Sequence, residues 1–121
     1  MTRRRQTPPE FATRERCFIT EYLNDERWPE VSLARARVEP AVTTERHALA
    51  VLEWYIIEAG TGELVLGDAG PRRVGPGDCI EIPPGCEQQI TNTGKSDLLF
   101  LCVCVPRFTP AAYRATPANS K

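Results

Sequence analysis

Residues 77–92 read Gly-Asp-Cys-Ile-Glu-Ile-Pro-Pro-Gly-Cys-Glu-Gln-Gln-Ile-Thr-Asn. Gly77 and Asp78 predict a tight turn that leads into a short strand. Pro83-Pro84-Gly85 ends that strand at a sheet edge, because proline lacks the N–H that an interior strand must donate. Alternation along the next strand then places Gln88 and Ile90 on one face. The stretch therefore predicts two short strands joined by a proline- and glycine-rich turn.

The rest of the chain repeats this pattern of short apolar segments separated by Pro and Gly turns. No segment longer than about 12 residues carries a sustained helical stripe. Regularly spaced short strands of this kind are typical of an all-β sandwich or barrel. We expect strands near residues 16–22, 32–38, 42–47, 51–58, 63–67, 71–74, 79–82, 87–91 and 97–105.

Length and composition indicate a single globular domain. The chain has 121 residues and a net charge of −1, which gives no reason to expect a nucleic-acid partner. No apolar run approaches the length of a membrane span. We expect a flexible N-terminal tail at 1–13, a barrel at 14–108 and a C-terminal tail at 109–121. The five cysteines are odd in number and lack CxxC spacing, which favours free thiols in a reducing cytoplasm.

The single histidine, His47, excludes many kinds of site. Every metal site that needs two histidines from one chain is ruled out, and a Ser-His-Asp or Cys-His site would have to use His47. The chain also lacks a phosphate-binding P-loop. Its Gly-x-Gly pairs lack the third glycine of a dinucleotide fingerprint.

Two motifs, read together, resemble those of the cupin family. In the second motif, Gly77, Pro83, Gly85 and Asn92 occupy the usual positions, and Gln88 stands where a histidine is usual. In the first motif, which spans residues 41–60, the matching positions are His47, Glu53 and Gly60, while Ala41 replaces a glycine and Leu49 replaces the second histidine. The resemblance implies a double-stranded β-helix, or jelly-roll barrel.

The resemblance also implies where the site lies. In most cupins three histidines and one glutamate hold a divalent metal, which implies His47, Glu53 and Gln88 as metal ligands in this chain. The expected cofactor is zinc, iron, nickel or manganese, with Leu49 leaving the site one ligand short. Alternation places these side chains on inward faces. Glu53 and Tyr55 are the predicted catalytic residues, Glu53 as a ligand or general base.

Three functions stay open at this point. The first is a metal-dependent oxygenase, isomerase, lyase or cyclase that acts on a small organic molecule. The second is a metal-free cupin that binds a small molecule through hydrogen bonds, which Leu49 favours. The third is a structural or regulatory subunit with a degenerate site. A homodimer is also expected, because residues 98–105 are apolar on both strand faces and need cover on the second one.

Overall fold

The computed structural model describes residues 6–116, in which two antiparallel sheets face each other. The six-stranded sheet has the spatial order β1 (Phe11–Ala12), β2 (Phe18–Leu23), β3 (Ser32–Val38), β10 (Leu98–Val105), β5 (Leu52–Ala59) and β8 (Cys79–Ile82). The five-stranded sheet has the order β11 (Tyr113–Ala115), β4 (His47–Leu49), β9 (Gln88–Asn92), β6 (Gly62–Leu66) and β7 (Arg72–Val74). The all-β jelly roll predicted from the sequence is confirmed.

Helix is almost absent from residues 6–116, where the one helical element is a single 3-10 turn at Pro110–Ala112. No helix in this range has the length and hydropathy needed to cross a bilayer.

The core lies between the sheets and follows the alternation of the strands. On β5, Glu53, Tyr55 and Ile57 are buried, whereas their neighbours are partly exposed. The side chains that pack in this core are mostly branched aliphatic residues from both sheets. The most deeply buried of these apolar side chains are Val38, Ile57, Leu64, Ile82, Ile90 and Leu98.

The glycine positions of the two motifs have a steric explanation. Gly60 has φ +85°, and a Cβ there would lie 2.7 Å from the carbonyl oxygen of Asp97. Ala41 replaces the first glycine of the motif and still adopts φ +69°. Since left-handed backbone disfavours any residue with a Cβ, Ala41 holds a conformation that a glycine would adopt without strain.

Two parts of the fold differ from the sequence prediction. Residues 42–46 were expected to form a strand that reaches His47, but β4 begins only at His47. The reason is that Thr44 bonds Ile90 partly through its side chain, with Oγ1 accepting from Ile90 N at 3.1 Å. This side-chain bond takes the place of a regular ladder.

Both predicted tails contain ordered strands. Phe11 on β1 pairs with Ile19, and Tyr113 on β11 pairs with Leu49. Both added strands are short, and each brings an aromatic side chain to the pocket described below. The barrel range expected from the sequence, residues 14–108, therefore leaves out these two strands. The remaining tail residues, 1–5 and 117–121, lie outside the described residues.

Candidate functional site

A pocket of about 160 Å³ opens between the two sheets at the end of the barrel where β4 and β11 meet β2 and β3. Its walls are mainly apolar and aromatic, as is common for small-molecule sites. A small number of polar side chains face the same space. They are Thr13, Glu15, Glu21, Ser32, Thr44, His47, Glu53, Tyr55 and Tyr113.

His47 is held in one orientation. The strand β4 pairs with β9 and β11, which place Gln88 and Ala115 on either side of His47. Its Nδ1 lies 2.9 Å from the carbonyl oxygen of Glu45. Because a carbonyl only accepts hydrogen bonds, the proton of the neutral ring sits on Nδ1, and Nε2 is left as an acceptor.

Tyr113 supports this orientation from the opposite side. Its ring stacks on the His47 imidazole with centroids 4.7 Å apart and an interplanar angle of 16°. The Tyr113 hydroxyl donates to Glu45 Oε1 at 2.6 Å, so that Glu45 bonds both residues. That hydrogen bond also lowers the pKa of Glu45. His47, Glu45 and Tyr113 thus each contact the other two, and these contacts fix the orientation of the imidazole ring.

The Glu53 carboxyl is buried, and one of its two oxygens makes no hydrogen bond to the described residues. The residue is 5% exposed and lines the pocket from β5. Its Oε2 accepts a long bond from Cys104 Sγ at 3.9 Å, whereas Oε1 has no partner among the described residues. Burial raises the Glu53 pKa to about 8, although the Gln88 amide opposes the shift and Glu15 adds to it. Glu53 is therefore mostly protonated at neutral pH and can donate a proton.

Gln88 and Tyr55 form a buried polar pair behind Glu53. The Tyr55 hydroxyl donates to Gln88 Oε1, and both residues are almost fully buried. Burial, followed by the Glu53 charge, raises the Tyr55 pKa well above its usual value, so that Tyr55 remains a neutral phenol. Gln88 Nε2 has no hydrogen-bond partner, since it is not in bonding geometry with Glu53 despite its effect on that pKa. Tyr55 lines the pocket directly, whereas Gln88 is not among the lining residues.

The donor set present does not fit a divalent metal. Of the predicted ligands, Gln88 has its amide oxygen engaged by Tyr55, and Leu49 has no donor atom at the usual second histidine position. Within residues 6–116, no three His, Cys, Asp or Glu side chains form a group that could hold a metal ion.

The nearby cysteines do not complete a metal site. Burial raises the pKa of Cys17 and of Cys104 to about 12, and it raises that of Cys102 as well. Without a metal these groups are thiols, and none of them belongs to a group of three His, Cys, Asp or Glu side chains within residues 6–116 that could hold a metal ion. All five cysteines of the chain are free.

The structure places His47, Glu53 and Tyr55 in the lining of one pocket, whereas Gln88, the third predicted ligand, is not among the lining residues. The roles predicted for these residues stay predictions. The lining also includes two residues that sequence reasoning missed. Glu15 lines the pocket, and burial raises its pKa. Neither residue gave a signal in the sequence, because Glu15 lies in the turn before β2 and the segment of Tyr113 has no regular hydrophobic pattern.

Comparison with known proteins identifies the family. The model of the cupin domain family Cupin_2 matches residues 34–104, more than half of the chain. The chain therefore belongs to the cupin family. Among curated proteins, none matches the chain significantly in sequence.

Solved structures show the same fold at low sequence identity. An uncharacterised conserved protein with a double-stranded β-helix domain from Klebsiella pneumoniae has a TM-score of 0.74 and 15% identity, with 86% of this chain and 87% of that chain covered. Streptomyces Pac13, solved with uridine and described as a nucleoside dehydratase, has a TM-score of 0.78 and 18% identity, with 96% and 92% covered. Oxalate decarboxylase from Bacillus subtilis has a TM-score of 0.75 and 16% identity, with 93% and 33% covered.

Proposed function

We propose that this cupin binds a small organic molecule without a metal and catalyses its reaction with Glu53 as the proton donor and His47 as the proton acceptor. The elimination of water is the reaction that this pair fits best. The observation that carries the proposal is the Glu53 carboxyl, which lines the pocket and whose buried Oε1 has no hydrogen-bond partner among the described residues. An unsatisfied buried polar atom is costly, and a bound ligand is a natural partner for it.

Glu53 has the protonation state of a general acid. With a pKa of about 8, its carboxyl is mostly protonated at pH 7 and can transfer that proton to a leaving hydroxyl group. The C–O bond then breaks and water leaves. The ionised Glu53 that results is stabilised by the Cys104 thiol, which already contacts Oε2.

His47 has the complementary state of a general base. The bond from Nδ1–H to the Glu45 carbonyl leaves Nε2 free to remove a proton from the carbon next to the leaving group. The electrons of that C–H bond form the new double bond. The proton gained by His47 and the one lost by Glu53 balance, and proton exchange with solvent restores both groups.

The comparisons support the proposal at the level of fold. Pac13 is described as a nucleoside dehydratase and shares the fold over nearly the whole chain. Elimination of water is the chemistry that the acid and base of the present pocket suggest independently. The identity is only 16–18%, so the argument depends on the residues of this chain.

The metal-dependent reading stays as the second candidate, because His47 and Glu53 occupy family ligand positions and line the same pocket. The metal-free and the metal-dependent hypotheses predict different results in one experiment. Chelated, untagged protein is incubated with β-hydroxy carbonyl compounds and hydroxylated nucleosides, and loss of water is followed by mass spectrometry. We expect activity after chelation that disappears in Glu53→Gln. Activity that needs added metal, or that survives Glu53→Gln, would contradict the proposal.

Two further sequence predictions remain proposals. A homodimer is supported by the outer face of β10, where Leu99, Leu101 and Val103 are only half-buried and Val105 is 43% exposed. Light scattering should give about twice the 13.5 kDa of one chain, and a mass equal to one chain would contradict the dimer. A cytoplasmic location is supported by the five free cysteines, because disulfides are rare in that reducing compartment.

A further inference from the structure

The charged side chains that line the pocket are mostly acidic. Three glutamates, Glu15, Glu21 and Glu53, line the pocket, whereas none of the described residues that line it is lysine or arginine. His47 is the one lining residue that can become cationic. An anionic ligand would therefore lose its hydration without gaining the bidentate cationic partner that recognises phosphate or carboxylate.

We propose that the pocket selects an uncharged, hydroxyl-bearing molecule, held by Glu15 and Glu53, and rejects its phosphorylated or carboxylated forms. This inference rests on the proposed function, because it names the ligand class of the same pocket. It assigns to Glu15 a role in binding the ligand.

The hydrogen bonding of Glu53, as distinct from its charge, points to such a ligand. Glu53 lines the pocket and is about nineteen-twentieths buried, and its Oε1 has no partner among the described residues. A hydroxyl group satisfies a carboxyl in either protonation state, since a hydroxyl both donates and accepts. An anionic group only accepts hydrogen bonds, so it can bond a carboxyl only while that carboxyl is protonated. Its negative charge also opposes ionisation of the carboxyl.

Glu15 is placed to act as the second contact. It lies in the turn between β1 and β2, and its Oε1 contacts the weak donor Cys17 Sγ at 3.9 Å. Burial raises its pKa, and the charge of His47 opposes the shift. Glu15 also raises the pKa of Glu53, and both residues line the same pocket. A polyhydroxylated ligand between them would bond both.

The remaining lining sets the shape of the ligand. Phe11, Phe100, Phe108 and Tyr113 supply aromatic surface, and Leu49 and Ile90 supply aliphatic surface. These walls suit the apolar or flat part of a ligand whose hydroxyl groups bond the two carboxyls.

The test compares matched pairs of probes at pH 7 with the full chain. Uridine, ribose and inosine are each paired with their 5-position phosphate esters, and binding is measured by ligand-observed NMR and calorimetry. We expect at least one uncharged probe to bind, and every uncharged probe that binds to do so at least tenfold more tightly than its phosphate. Equal or tighter binding of a phosphate, or binding of no uncharged probe at millimolar concentration, would overturn the proposal.

Charge variants separate the role of Glu15 from that of net charge. Glu15→Lys should reduce the preference for the uncharged probe at least tenfold. Glu63→Lys, which makes the same change at an exposed position on β6, should leave that preference unchanged. If Glu15→Lys does not fold, Glu15→Gln should reduce the preference severalfold. An unchanged ratio in the folded Glu15 variants would remove Glu15 from the site.

Failure of this inference differs from failure of the proposed function. If the ligand class is wrong, the binding ratios change while the dependence of catalysis on Glu53 stands. If the proton-transfer role is wrong, Glu53→Gln retains activity while the binding ratios hold.

Discussion

The ring of Tyr113 stacks on the imidazole of His47, with centroids 4.7 Å apart, although Tyr113 lies 66 positions further along the chain. The contact exists because β11 pairs with β4 in register, with Tyr113 opposite Leu49 and Ala115 opposite His47. A C-terminal segment without a hydrophobic pattern thus orients the single histidine of the protein.

The hydrogen bond between His47 Nδ1 and the Glu45 carbonyl predicts the tautomer of His47, and the stacked Tyr113 ring holds the imidazole in that orientation. Because the chain has one histidine, long-range ¹H–¹⁵N NMR reports on it without ambiguity. We expect the proton of the neutral ring on Nδ1 in the wild type and in Tyr113→Phe, which keeps the stacked ring. Tyr113→Ala should give mixed tautomers, and Tyr22→Ala, on the outer sheet face, serves as the control. A wild-type ring protonated on Nε2 would contradict the assignment of His47 as the base.

Stability should fall as pH rises from about 4.5 to 8. The Glu53 pKa is near 8 in the folded protein against 4.5 for the free side chain, so the folded state binds more protons in this window. By linkage the free energy of unfolding decreases as pH rises, by at most about 1.4 kcal/mol per pH unit for one carboxyl. The raised pKa of Glu15 acts in the same direction.

Glu53→Gln tests the source of this slope. Denaturant unfolding at several pH values should show a flatter dependence in the variant, with the remaining slope reduced further by Glu15→Gln. A wild type whose stability rises through this window, or a slope that Glu53→Gln leaves unchanged, would show that Glu53 titrates at an ordinary pKa.

Ala41→Gly should stabilise the protein. Ala41 has φ +69°, where a Cβ costs roughly 1–2 kcal/mol, and part of this gain is offset by the greater entropy of unfolded glycine. We expect a net gain of about 0.5–1 kcal/mol and a higher Tm by calorimetry. Gly60→Ala is the opposite case and should destabilise, since its Cβ would meet the backbone of Asp97. An Ala41→Gly variant less stable than the wild type would contradict the strain at this position.

Leu49→His should convert the pocket into a metal site. Leu49 lies two residues beyond His47 on β4 and lines the same pocket, so a histidine there supplies a second imidazole. We expect calorimetry to show tight nickel or zinc binding in Leu49→His, and none in the wild type or in Leu49→His combined with His47→Ala. Equally tight binding by the wild type would restore the metal-dependent reading.

The sequence predicted the barrel and three of the residues at its pocket because those features follow from local rules. Alternation on β5 sufficed for Glu53 and Tyr55, and turn residues such as Gly60 are required by backbone geometry. The sequence could not show that the Gln88 amide oxygen is engaged by Tyr55, because that contact joins strands from different sheets. The placement of Tyr113 depends in the same way on tertiary pairing.

The most direct test of the account is the titration of the Glu53 carboxyl, followed by ¹³C NMR in chelated protein and assigned with Glu53→Gln. We predict an apparent pKa near 8, unchanged when zinc is added at stoichiometric concentration. A carboxyl that titrates near 4.5, or a resonance that shifts on addition of zinc, would contradict a metal-free acid at this position.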